Sequence, residues 1–168
     1  MPNKHIHPTT PPLVPRYGLA GDVGVNSFKE YDLETNEGRV YFALIGDDFE
    51  PDELTEFLGI QPTSVLRKGS KIPGRVPKTD SWQLSTENIV NEYIDIFKMT
   101  TDIINKLKPV KHLIIEAIDR FNVSPRLEVV LCISINEKHS TPAIGFEIDT
   151  VKFLGEIGAF IDIDTYKH

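Results

Sequence analysis

Residues 127–135 form the most apolar run of the sequence, and they constrain the fold more than any other segment. As a β-strand, this run would line one face with the leucine, valine and isoleucine side chains at its odd-numbered positions, from Leu127 to Ile135. Val130 and Cys132 make the middle of the other face apolar too. A strand that is apolar on both faces is usually central in a sheet and covered. The sequence therefore predicts a β-sheet with this strand in its interior.

Other segments have the composition or the alternation of strands, namely 40–46, 81–85, 143–148 and 160–164. In the last of them, isoleucines alternate with Asp162 and Asp164. We interpret these two aspartates as the solvent face of a terminal strand, where charge protects a sheet edge from pairing with other chains.

The 3.6-residue periodicity of helices marks four segments, namely 51–58, 90–107, 110–121 and 150–157. Pro51 suits the first turn of the first helix, and Gly59 is placed to end it. Pro109 separates the second helix from the third, because proline breaks a helix interior. The order is then β-α-β, two helices, and β-β-α-β. It predicts an α+β fold: a ferredoxin-like sheet of about five strands with helices on one face and a two-helix insertion.

The N-terminus differs from the rest of the chain. Five of the 12 prolines lie within residues 1–15, and four glycines follow by residue 38. We therefore expect residues 1–37 to be a Pro/Gly-rich, partly flexible tail, and residues 38–168 to form a single α+β domain.

Composition limits the function. The 168-residue chain has a net charge of −7, which disfavours nucleic acid and anionic membranes as partners because both are negative. No apolar stretch approaches the length needed to span a bilayer, and the N-terminus has no apolar core of a secretory signal. A single cysteine, Cys132, rules out an intramolecular disulfide. We expect a cytoplasmic protein that needs no cofactor.

Two segments carry concentrated charge of opposite sign. Six carboxylates lie within ten residues: Asp47, Asp48, Glu50, Asp52, Glu53 and Glu56. Asp47 and Asp48 could bind a metal ion, but the spacing matches no calcium loop, and acidic residues also favour the first turn of a helix. We favour the second interpretation and predict no metal site.

The basic loop that follows contains Arg67, Lys68, Lys71, Arg75 and Lys78. With its glycines it could bind a phosphate or an acidic partner. It could equally be a solvated loop, or fold back onto the acidic cluster that precedes it in sequence. These alternatives stay open at the level of the sequence.

Three other features have weaker functional interpretations. Trp82 could stack a ligand, although a lone tryptophan in an alternating strand is more often a core anchor. Cys132 lies mid-strand among apolar residues and is interpreted as a structural thiol. No serine-hydrolase or zinc-protease motif occurs in the sequence, so we predict no catalytic residue.

The run YFALIGDDFEPDELTEFLGIQPT, residues 41–63, resembles the opening of the domain of unknown function 4279 family. The likeness continues in Arg67-Lys68-Gly69, in Pro73-Gly74-Arg75 and in Trp82, and it resumes in LGEIGA at 154–159 and IDID at 161–164. The resemblance covers about residues 40–166 and implies a small bacterial protein of the same fold. It carries no catalytic residue over, since the family has no assigned activity. By analogy, some small bacterial domains of this kind are proposed to be immunity proteins that neutralise toxins.

These observations favour a non-enzymatic protein-binding domain, with an immunity-type inhibitor of a bacterial toxin as the most concrete version. The alternative is a binder, or an enzyme, for a phosphate- or anion-bearing small molecule held by the basic loop 67–78. The residues expected to bind the partner or anion are Arg67, Lys68, Lys71, Arg75, Trp82, Asp47 and Asp48.

Overall fold

The computed structural model describes residues 35–71, 76–90 and 93–167. Residues 1–34 of the predicted tail therefore lie outside the described part. The elements follow in the order β1 (Glu37–Gly46), α1 (Pro51–Leu58), β2 (Ser64–Leu66), β3 (Asp80–Ser85), β4 (Ile89–Val90), α2 (Ile96–Leu107), a short 3₁₀ helix (Lys108–Val110), α3 (Lys111–Arg120), β5 (Ser124–Ile133), α4 (Ile148–Glu156) and β6 (Phe160–Lys167). The predicted α+β class is confirmed. None of the described helices is long and apolar enough to cross a membrane.

The six strands form one mainly antiparallel sheet. Its order is β2-β3-β1-β5-β6, and β4 pairs with the start of β1. β1 runs antiparallel to both β3 and β5, whereas β5 and β6 are parallel. As predicted, the apolar strand β5 lies inside the sheet, between β1 and β6.

The core lies on one face of this sheet, which we call the core face. Buried strand residues on this face are Val40, Phe42, Leu44, Trp82, Leu84, Leu127, Val129 and Leu131. Each helix adds apolar side chains to the same cluster, among them Leu54, Ile103, Ile114 and Phe153. We call the opposite face the open face, because its side chains are not members of this cluster among the described residues.

α1 forms where the local signals place it. Pro51 occupies the first turn, where its missing N–H costs no hydrogen bond, and Asp52 and Glu53 face the positive end of the helix dipole. Gly59 ends the helix in the left-handed conformation, at φ 67°, and its N–H bonds the carbonyl of Thr55. The helix therefore starts a few residues after β1 and holds the acidic cluster at one end of the sheet.

The ferredoxin-like arrangement and the two-helix insertion are not confirmed. A split β-α-β unit leaves a gap between its two strands for a third strand, whereas β1 and β3 are direct neighbours and antiparallel. Ile103 of α2 and Ile114 of α3 are buried in the main cluster, so these helices are part of the core.

Some predicted boundaries were wrong. No strand forms at 143–148; Gly145 approaches the Phe97 ring so closely that a β-carbon there would clash with it, and Ile148 already begins α4. α2 begins at Ile96 because Asp95 caps it, accepting a bond from the Lys98 N–H at 3.0 Å. The short strands β2 and β4 were not predicted.

Candidate functional site

The two oppositely charged segments meet at one end of the sheet. Arg67 bonds two carboxylates, with Nη1 3.0 Å from Glu50 Oε2 and Nη2 2.7 Å from Asp52 Oδ2. Lys68 Nζ lies 3.2 Å from the Asp47 carbonyl oxygen and 3.6 Å from Asp48 Oδ1. Of the alternatives left open by the sequence, the described part of the loop folds back onto the acidic cluster. We call the six residues Asp47, Asp48, Glu50, Asp52, Arg67 and Lys68 the charged surface.

A short turn holds the two cations in place. The Lys68 N–H donates to Asp80 Oδ1 at 2.8 Å, and Asp80 is buried at the start of β3. Gly69, in the left-handed conformation at φ 75°, donates its N–H to the Pro77 carbonyl at 2.9 Å. The backbone of the turn is therefore anchored to the sheet, while the side chains of Arg67 and Lys68 reach outward.

The charged surface is open to water. The side chain of Arg67 is 44% exposed, that of Lys68 46% and that of Asp48 91%. The charge of the neighbouring Asp52 is the main cause that raises the pKa of the Arg67 guanidinium. The hydrogen bonds from Arg67 to Asp52 and Glu50 raise this pKa further. The charged surface contains four carboxylates and two cations and is therefore net negative, and Glu53 and Glu56 are also exposed on α1.

The remaining predicted site residues are Lys71, Arg75 and Trp82. Lys71 is exposed, and Arg75 lies outside the described residues. Trp82 is fully buried, and its indole Nε1 donates to Thr55 Oγ1 at 3.0 Å. Trp82 therefore packs β3 against α1, as the core interpretation predicts, and its ring offers no exposed surface for a ligand.

The open face carries a second polar arrangement that the sequence did not reveal. The strand register places Tyr41, Glu128 and Asp162 side by side on β1, β5 and β6. In the neighbouring rows, Arg126 lies beside Phe160, and Asp164 lies beside Val130. We call Tyr41, Arg126, Glu128, Asp162 and Asp164 the open-face cluster.

Arg126 links the members of the open-face cluster. Its Nη1 lies 3.3 Å from Glu128 Oε2 and 3.3 Å from Asp162 Oδ2. Its guanidinium carbon lies 5.3 Å from the centre of the Phe160 ring, which is the geometry of a cation–π contact. The Tyr166 hydroxyl bonds Asp164 Oδ2 at 3.2 Å.

Burial and crowding of negative charge perturb this cluster. Burial is the main cause that raises the pKa of Glu128, and the charges of Asp164 and Asp162 add to it, while Tyr41 and Arg126 oppose it. Burial also raises the pKa of Tyr41, and its hydrogen bond to Glu128 raises it further. Perturbed titratable groups of this kind are common at functional sites but also occur in structural networks.

Asp162 and Asp164 lie on an edge strand and point away from the core, as the sequence predicted, but they are not simply solvated. Asp162 and Asp164 are half-buried, whereas Ile161 and Ile163 are 37% and 42% exposed. Arg126 pairs with Asp162, and the Tyr166 hydroxyl donates a hydrogen bond to Asp164, so both aspartates have polar contacts on the open face. The sequence signal that could have indicated the cluster is the pair Arg126 and Glu128, at alternate positions of an otherwise apolar strand.

Two shallow depressions of about 320 Å³ each lie on the described surface. One joins the charged surface to the open-face cluster and is lined by residues that include Asp47, Thr79, Arg126 and Phe160. The other lies between α2 and the start of α4 and is lined by residues that include Thr101, Lys108 and Asp149. Within residues 35–71, 76–90 and 93–167, no group of three or more side chains is arranged to hold a metal ion.

Comparison with known proteins identifies the family. The chain matches the family described as domain of unknown function (DUF4279) over residues 35–168, which includes all of the described residues. No curated protein and no solved structure matches the chain significantly. The resemblance seen in residues 41–63 is thus confirmed, and the chain belongs to the domain of unknown function 4279 family.

Proposed function

We propose that this protein is a non-enzymatic protein-binding domain that recognises its partner through the charged surface. One observation carries the proposal: the acidic segment around the start of α1 and the basic segment that follows β2 come together as one exposed surface. Arg67 lies between Glu50 and Asp52, and Lys68 lies near Asp47 and Asp48.

Stability does not account for this surface. Exposed ion pairs contribute little to folding, because water screens the charges and ordering the side chains costs entropy. A fixed pattern of exposed charge does orient an approaching protein and speed its association. The charged surface therefore suits recognition better than it suits structural support.

The excess of carboxylates indicates the chemistry of the partner. Within the charged surface four carboxylates outnumber two cations, Arg67 and Lys68, so a basic surface is the complementary one. An immunity-type inhibitor of a bacterial toxin, acting in the cytoplasm, is the most concrete version. A toxin that acts on nucleic acid needs a basic surface to bind phosphates, and such a surface would match this one.

The alternative, binding of a phosphate- or anion-bearing small molecule by the basic loop, has less support. Arg67 and Lys68 already face carboxylates, which an anion would have to displace. A thermal-shift screen with nucleotides and sugar phosphates tests it directly, because a ligand at 100 times its Kd adds ~2.7 kcal/mol to stability. A clear shift would favour the alternative over the protein-binding proposal.

The main proposal is tested by quantitative capture from a lysate of the native host. The baits are the full-length protein, Asp47→Asn/Asp48→Asn, and the control Glu116→Gln/Asp119→Asn, which removes two exposed carboxylates from α3. We expect a basic protein to be recovered with the wild type and the control, and to be several-fold depleted on the Asp47/Asp48 bait. Equal recovery on all three baits would remove the charged surface from the interface. If the captured protein is a toxin, co-expression should protect cells from it.

A further inference from the structure

β6 is a long strand at the edge of the sheet. It spans eight residues and pairs with β5 on one side, and no other strand of the described part pairs with its outer side. The outer side of an edge strand presents backbone N–H and C=O groups that are free to pair with another chain. β6 is therefore a template on which a further strand can add.

The core-face side of β6 is incompletely covered. Ile161 and Ile163 are in register with the buried Leu127 and Val129, yet they remain 37% and 42% exposed. A strand added to the outer side of β6 would cover part of the two isoleucines with its own side chains on that face.

The open-face side of β6 is acidic. Asp162 and Asp164 project there near Glu128. Arg126 pairs with Glu128 and Asp162, while the Tyr166 hydroxyl donates to Asp164, so the three carboxylates outnumber this guanidinium. Arg39 lies two strands away from β6, where its guanidinium packs over the ring of Tyr41. Among the described residues, the unbalanced charge next to the outer side of β6 is therefore negative, in keeping with the contribution of both aspartates to the raised pKa of Glu128.

We propose that β6 accepts an extended segment of a partner protein as an added strand, and that this segment alternates apolar residues with lysine or arginine. The apolar side chains would lie beside Ile161 and Ile163 on the core face, and the basic ones beside Asp162 and Asp164 on the open face. The alternation follows from the two-residue period of a strand, since directly opposite residues point to the same face.

The β6 strand of a second copy of this chain is poorly suited to pair with the outer side of β6. In an antiparallel pair of two β6 strands, the centred registers would place Asp162 opposite Asp164, or Asp164 opposite itself. Like charges directly opposite each other destabilise a strand pair. A basic, alternating segment replaces that repulsion with attraction. The inference goes beyond the proposed function, because it names a second surface that does not depend on the charged surface.

The test uses the full-length protein and labelled ten-residue peptides at low salt, with binding followed by fluorescence anisotropy. The first peptide alternates lysine and valine, the second alternates glutamate and valine, and the third has the composition of the first in separate blocks. A fourth repeats the first with alternate backbone amides methylated, which removes the donors that strand pairing needs. We expect the first peptide to bind about tenfold or more tightly than each of the others.

Protein variants then locate the site. Asp162→Asn/Asp164→Asn should weaken binding of the first peptide about tenfold, while the control Glu116→Gln/Asp119→Asn on α3 should leave it unchanged. Hydrogen exchange on the wild type, which needs no variant to fold, should show added protection of the β6 amides on binding. Absence of binding, equal binding of the block or methylated peptide, equal weakening by the control, or unchanged β6 exchange would each overturn the proposal. Loss of partner capture by Asp47→Asn/Asp48→Asn concerns the charged surface and would not contradict strand addition at β6.

Discussion

The indole nitrogen of Trp82 donates a hydrogen bond to Thr55 Oγ1 at 3.0 Å, and the same hydroxyl donates to the Pro51 carbonyl at 2.8 Å. This chain of two bonds ties β3 to α1, which carries Asp52 of the charged surface and begins directly after Glu50. The fully buried Trp82 ring is also part of the core cluster. The position of the charged surface therefore depends on a core residue.

Replacing Trp82 by alanine should destabilise the fold by about 3–5 kcal/mol, because a large buried ring is lost and a cavity remains. Urea denaturation followed by circular dichroism measures the change. Thr55→Val should cost less, about 1–3 kcal/mol, since it leaves the indole N–H buried without its acceptor. An unchanged unfolding midpoint for Trp82→Ala would contradict the core role of this residue.

Replacing Arg67 and Lys68 by serine should hardly move the denaturation midpoint. Both side chains and their carboxylate partners are exposed, so the pairs contribute little to folding. Arg67 and Lys68 partly neutralise the carboxylates around them. We therefore expect the double variant, which lacks both cations, to associate with a basic partner at least as fast as the wild type. The difference in association rate between the variant and the wild type should shrink as the salt concentration rises. A large fall in the midpoint would show instead that the pairs stabilise the fold.

Local signals explain what the sequence could predict. α1 was predicted because Pro51 and Gly59 act on the conformation of neighbouring residues in the chain. β5 was predicted because its apolar composition can be recognised from the sequence of this segment alone. The strand predicted at 143–148 does not form, and Gly145 instead lies against the Phe97 ring, a contact between residues far apart in sequence that no local pattern reveals.

The candidate site also combines features that the sequence could predict with features that it could not. The acidic and basic segments were visible as runs of charge, but whether they meet depends on the path of the chain after α1. The open-face cluster depends on cross-strand register, which puts Tyr41, Glu128 and Asp162 in one row on three strands. A single sequence carries no direct signal for that register: the alternation of β6 placed its aspartates away from the core, but it could not show that they lie beside Glu128 and Arg126.

Cys132 should react slowly with thiol reagents in the folded protein. The side chain is half-buried, and burial is the main cause that raises the pKa of its thiol above the ordinary value of 9.0. Little thiolate, the reactive form, is then present at neutral pH. Labelling with Ellman's reagent should be much slower in native buffer than in urea. Equal rates in the two conditions would contradict the structural role of this thiol.

The pH dependence of stability tests the open-face cluster. Folding raises the pKa of Glu128 above its ordinary value of 4.5, so the folded state holds this proton more tightly than the unfolded state does. The contribution of Glu128 to stability is therefore complete below pH 4.5 and is lost as pH rises through the folded pKa. The free energy of unfolding of the wild type minus that of Glu128→Gln should fall as pH increases from about 4 to 7.

Glu156 supplies a matched control of opposite sign. Its hydrogen bond with Lys111, at 2.7 Å, lowers the pKa of the Glu156 carboxyl. A lowered pKa gives a contribution that is present above pH 4.5 and lost as pH falls through the folded pKa. The difference between the wild type and Glu156→Gln should therefore grow with pH, while the Glu128 difference shrinks. Urea titrations of the three proteins across this range measure both slopes, and a Glu128 difference that rises with pH would show that Arg126 and Tyr41 outweigh the burial of this carboxylate.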